Sequence, residues 1–193
     1  MPNTKIDKDF AENLGLSFGG CVRDLSSTLF DKQVAAAAGV KLNPLPFFDS
    51  VAKARFKACW AGALQAIAAW AALDGLPEYS SDEKFFRKTL FQMHRFADES
   101  LGKPLFSKIS EGDIALYGRI RDDLMKMVFS HAATKEGMAR AFIARVHGIQ
   151  ERDVPDSRVA ALSPHIGMAA GLFTKLIGIC LKAPEKRDAK AKA

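Results

Sequence analysis

The chain has 193 residues and a formal net charge of +6, with 48% hydrophobic and 26% charged residues. That composition excludes wholesale disorder, a collagen-like fibre and a disulfide scaffold. A single domain of this length buries about 70% of its unfolded surface, enough for a core without disulfides or metal.

The opening twenty residues, MPNTKIDKDFAENLGLSFGG, hold no apolar run behind a basic start. No secretory signal is expected from them, and the default location is cytoplasmic. Cys21, Cys59 and Cys180 lie far apart, without a CxxC pair. Free thiols are expected, with Cys59 and Cys180 as small core residues and no zinc site. Apolar residues recur at helical spacing almost throughout, and alternating runs rich in Val, Ile and Thr are absent. The fold class is therefore all-α, a single domain over residues 1–182 with about six helices.

In chain order, Phe18, Val22, Leu25 and Leu29 form one helical stripe, and Asp31–Ala38 a short Ala-rich helix closed by Gly39. Asn43-Pro44-Leu45-Pro46 reads as extended, because each proline disfavours α geometry in its predecessor. The next helix spans about Ser50–Leu73, with Asp49 or Ser50 as N-cap. No charge occurs between Lys57 and Asp74, a stretch of sixteen residues. That is short of the ~20 residues a membrane span needs, so a central core helix is expected and no transmembrane span.

Ser80 and Glu83 have capping-box spacing for a helix that Leu101-Gly102-Lys103-Pro104 would stop near Ser100. A further helix follows Ser110, where Glu111 and Asp113 suit the positive end of its dipole, and runs to about His131. Another lies between Thr134 and Gly148. Ser163-Pro164 reads as an N-cap and first helical residue, opening a last helix over 164–182. That helix is the most apolar, so with 50–73 it forms the expected buried centre. Gly167 and Gly171 are four apart and would let a second backbone approach closely. Ala183-Pro184 would stop it, leaving 183–193 as a basic, unfolded tail. From Lys182 to Ala193, Lys182, Lys186, Arg187, Lys190 and Lys192 outnumber Glu185 and Asp188, giving half of the net charge.

Motifs for chemistry are missing. There is no HExxH, no Glu-x-x-His pair, no G-x-S-x-G, no GxxxxGK[ST] and no GxGxxG. No cofactor, metal ligand or catalytic residue is assigned. His94 and Asp98, four apart, are weighed as an ordinary helix pair. His131 falls on the face of Leu116, Ile120, Leu124 and Met127 and reads as a core histidine. Asp122 and Asp123 point about 100° apart and read as solvated charges. Lys135, Arg140 and Arg145 spread around their helix, which argues against a DNA-recognition helix.

One constellation is less ordinary. Opposite the core arc of Phe85, Phe86, Leu90, Met93, Phe96 and Ala97 lie Lys84, Arg87, Lys88, Phe91 and Arg95. The ring could stack on a base while the cations hold phosphates, or anchor in a pocket of an acidic protein. The plainer alternative is that a neighbouring loop, such as the N-terminal segment, covers it. The expected function is non-catalytic binding through this face. Its partner would be an acidic macromolecule: nucleic acid, a nucleoprotein complex or an acidic protein. The alternatives are a small helical enzyme with a motif-free pocket near His94, and peripheral membrane association through 164–182 and the tail.

Overall fold

In the computed structural model the backbone is described for residues 4–27, 30–42, 50–76 and 82–191. Side chains are described for 10–26, 32–42, 50–76, 82–102 and 105–181. Among the described residues the chain is all-helical, without strands. Seven α-helices form one bundle: α1 Thr4–Ser27, α2 Phe30–Ala37, α3 Ser50–Gly75, α4 Glu83–Leu105, α5 Glu111–Phe129, α6 Lys135–His147 and α7 Asp156–Ala191. The expected extended segment 43–46, the Asp49 cap and Ser80 lie outside the described residues.

The α3 helix is the axis, as its uncharged run implies. Phe56, Trp60, Leu64 and Ile67 are buried, with Trp60 and Phe56 edge-on to Phe142 of α6. Its alanines keep the cylinder thin, so α1, α5 and α7 all pack against it. Gly62 brings α5 close: a Cβ there would sit 2.9 Å from the Tyr117 carbonyl.

Helix ends follow local chemistry. Ser110 and Asp113 form a reciprocal capping box at the start of α5. Thr134 caps α6 through the Gly137 N–H, and Gly148, at φ 67°, closes it in the left-handed region that glycine adopts without penalty. At α4 the cap is Asp82, whose carboxylate accepts from the Phe85 N–H at 2.9 Å. Contrary to the expected stop near Ser100, α4 continues through Gly102 and Pro104 to Leu105. A proline in the last turn removes only one N–H from a ladder that is about to end.

Helix α7 departs most from expectation. It starts at Asp156 rather than Pro164. Ser163 lies within it and is buried, its hydroxyl donating to the Val159 carbonyl one turn back at 2.7 Å. The hydroxyl thus bonds backward where an N-cap would bond forward. The helical backbone also passes the expected stop at Pro184 and reaches Ala191, in a segment of strong helix formers.

Nor is α7 a buried centre. Val159, Leu162, Ile166, Ala169, Phe173 and Ile177 are buried, an arc of about 80° at 100° per residue. The rest of its apolar surface faces outward: Met168 is 48%, Ile179 64% and Leu181 44% exposed. A Cβ at Gly171 meets nothing within 4 Å, and one at Gly167 meets only the Lys135 side chain. Close backbone approach occurs instead at Gly15 and Gly19 of α1. A Cβ on Gly15 would lie 2.4 Å from the Thr89 carbonyl oxygen, and one on Gly19 2.9 Å from Phe96 Cβ. The successive contacts Phe10 with Phe85, Glu12 with Lys88 and Gly19 with Phe96 make α1 and α4 parallel neighbours.

Candidate functional site

The docking of α1 decides what α4 presents. Its core arc is confirmed: Phe85, Phe86, Met93 and Ala97 are buried, and Leu90 and Phe96 are half-buried. Because α1 lies over Gln92, Met93 and Phe96, it does not cover the opposite face, and Phe91 is 62% exposed. The alternative, a neighbouring segment lying over this ring, is not what the fold provides.

The cations around Phe91 are mostly engaged. Arg87 pairs with Glu83 at 2.6 Å and Arg95 with Glu99 at 3.1 Å, both one helical turn apart and exposed. Lys88 is different: its side chain is 22% exposed and its ammonium lies 2.7 Å from Glu12 of α1. Lys88 is therefore a tie between two helices as well as a member of the face. Lys84 is exposed and forms no ion pair among the described residues. The result is a ring of compensated charge around one projecting phenylalanine. Exposed pairs of this kind contribute ~0–1 kcal/mol, so Arg87 and Arg95 can exchange partners at little cost.

Beside this face runs a chain of hydrogen bonds that the sequence did not reveal. It links α4, α3 and α5 through His94, Gln65, Tyr117 and Asp98. Its direction follows from the carboxylate, which can only accept. The Tyr117 hydroxyl therefore donates to Asp98, and the Gln65 amide N–H donates to the Tyr117 oxygen at 2.6 Å. The Gln65 carbonyl oxygen then faces His94, whose Nδ1 must carry the proton. Arg121 closes the far end, 3.9 Å from Asp98 and stacked over the Tyr117 ring at 5.6 Å.

Burial, reinforced by the Arg121 guanidinium, lowers the His94 pKa to about 4. Burial and the Asp98 carboxylate raise that of Tyr117. His94 and Asp98, read as a pair from their spacing, thus belong to a longer chain and do not bond to each other. Gln65 was the available signal, as the one amide inside an uncharged run that a buried helix must satisfy. No thiol or hydroxyl nucleophile bonds to His94 among the described residues, so the chain ties three helices. Tyr117→Phe is expected to cost about 1–3 kcal/mol, because it strands the buried Gln65 donor. Urea denaturation measures this, and an unchanged midpoint would contradict the assigned direction.

A cavity of about 870 Å³ opens elsewhere, between the end of α2 and the starts of α3 and α5. Arg55 and Asp113 pair across its wall at 3.1 Å. Cys59 lines it, but burial pushes its thiol up to about 12, which leaves it protonated and unreactive. His147 also lines it and donates from Nε2 to the Ala38 carbonyl at 2.8 Å. This is an ion pair and a protonated thiol without an activated nucleophile.

The remaining candidates resolve into structural roles. His131, expected in the core, is exposed at φ 56°, because α5 ends at Phe129 before the core face can continue. Asp123 is not merely solvated: Arg145 bonds it at 2.8 Å and lowers its pKa. Arg140 donates to the Val154 carbonyl and to Asp156, clamping α6 to the start of α7. Cys180 is only half-buried, 3.6 Å from the Ser17 hydroxyl. Among the described residues no group of three or more His, Cys, Asp or Glu side chains is placed to hold a metal ion. No protein-family model, curated protein or solved structure matches this chain.

Proposed function

We propose that this is a non-catalytic binding protein whose α4 face seats Phe91 in an apolar pocket of an acidic protein partner. The observation that carries the reading is the 62% exposure of Phe91 on a well-packed helix, amid Lys84, Arg87, Lys88 and Arg95. A projecting aromatic ring surrounded by exchangeable cations has the composition of an interface anchor and its polar rim. The cations' internal pairing with Glu12, Glu83 and Glu99 favours a protein over nucleic acid. A phosphate backbone rewards unpaired positive charge and is repelled by the interleaved carboxylates.

Phe91→Ala is expected to change folding stability by less than about 0.5 kcal/mol, since the ring is outside the core. It should abolish capture of the partner from cells of the source. Phe129→Ala, which removes another exposed ring at 49%, should retain it. Lys84→Glu is the cleaner charge probe, because Lys88→Glu would set two carboxylates against each other across α1 and α4. Its effect should shrink as salt rises, while that of Phe91→Ala persists. Equal capture by wild type and Phe91→Ala would reject the reading. Steeply salt-dependent binding to single-stranded DNA or RNA would favour the nucleic-acid alternative.

A further inference from the structure

We infer that the outer face of α7 is a second interaction surface, one that lies flat on an anionic lipid bilayer. Among the described residues two helices are long and apolar enough to cross a membrane, but their burial differs sharply: 83% of the apolar window in α3 is buried, against 22% in Asp156–Leu181. The apolarity of α3 is used by the core. Most of that of α7 is not.

The unused surface is ordered by register. Met168, Leu172, Lys175 and Ile179 recur every three or four residues, on the side away from buried Ile166, Phe173 and Ile177. The helical backbone continues to Ala191, through a sequence in which lysine and arginine outnumber acidic residues. An apolar stripe is therefore followed along the helix by a basic stretch of sequence. At 100° per residue, Asp156 lies more than about 100° from the centre of the apolar stripe.

Charge complementarity selects the occupant. Apolar side chains flanked by lysines suit the headgroup boundary of an anionic leaflet, where the former bury and the latter meet phosphates. A spanning orientation would have to strip Phe173 and Ile177 from the core, so the helix lies on the surface. Gly171, with open space where its Cβ would be, lets the bilayer approach this stripe closely.

The test is co-sedimentation of the full chain with vesicles of phosphatidylcholine alone and of equimolar phosphatidylcholine and phosphatidylglycerol. Binding is expected to the anionic vesicles only. Met168→Glu combined with Ile179→Glu should weaken it about tenfold or more. Melting temperature should be unchanged, since both side chains are already exposed. Lys175→Glu should weaken it about fivefold, an effect that fades with added salt. Phe91→Ala should bind vesicles like wild type, which separates this surface from the α4 face. Equal binding to neutral vesicles, or indifference to the double substitution, would overturn the inference. So would self-association that the double substitution abolishes in a chain that ignores vesicles, because the stripe would then cover a second copy.

Discussion

Replacing Gly15 and Gly19 together by alanine should destabilise the protein by about 3 kcal/mol or more, the scale of overpacking a tight contact at two sites. On an isolated helix the same change would stabilise, by up to ~1 kcal/mol per site, through better propensity. The sign is reversed by what each new methyl would meet. At Gly15 the obstacle is the Thr89 carbonyl oxygen at 2.4 Å, a backbone atom that cannot rotate away. At Gly19 it is Phe96 Cβ at 2.9 Å and the Met93 carbonyl at 3.1 Å. The helices would have to separate, and Phe10, Leu14 and Phe18 would lose their seats in the core. Gly171→Ala is the matched control, with nothing within 4 Å, and should be neutral or stabilising. Denaturant midpoints of the two variants decide the matter. Similar values would mean that α1 does not dock on α4 at these glycines.

Stability should also fall steeply between pH 6.5 and pH 4, with His94 as a main cause. In the unfolded chain its imidazole has the ordinary pKa near 6.5. In the fold, burial and Arg121 bring it down to about 4. A lowered pKa means that the unfolded state binds the proton first. The contribution of His94 is therefore fully present above pH 6.5, declines as pH falls, and is gone below about 4. The difference corresponds to about 3 kcal/mol. Protonation would also place a cation within reach of Arg121. His94→Gln should flatten this part of the stability–pH curve. Nitrogen-15 NMR at neutral pH should find the Nδ1–H tautomer of wild-type His94, and the Nε2–H tautomer would contradict the direction derived from Asp98.

Much of the bundle could be read from sequence because its signals are local. The uncharged run after Lys57 marks α3, and Ser110, Thr134 and Gly148 mark helix ends through their own backbone bonds. What failed was tertiary. Gly15/Gly19 and Gly167/Gly171 have the same four-residue spacing, yet only the first pair faces a backbone. Ser163-Pro164 resembles a helix start, and only the back-bond to Val159 shows that the helix is already under way. The wide apolar arc of α7 suggests burial, but an arc records side-chain chemistry and not its neighbours.

The α4 face divides in the same manner. The projection of Phe91 away from the core follows from its register, and the Glu83–Arg87 and Arg95–Glu99 pairs from four-residue spacing. The tie from Lys88 to Glu12 spans two helices and needed the fold. So did the chain through Gln65 and Tyr117, whose members lie on three different helices.

The central claim, that α4 binds a protein through Phe91, is tested most directly by site-specific photo-crosslinking in cells. A photoactivatable phenylalanine analogue is placed at position 91 and, as the control, at position 129. The account predicts one acidic protein crosslinked at 91 and not at 129, with loss of the adduct when Lys84→Glu is added. Adducts of equal yield at both positions, or crosslinking at 91 only to nucleic acid, would contradict it.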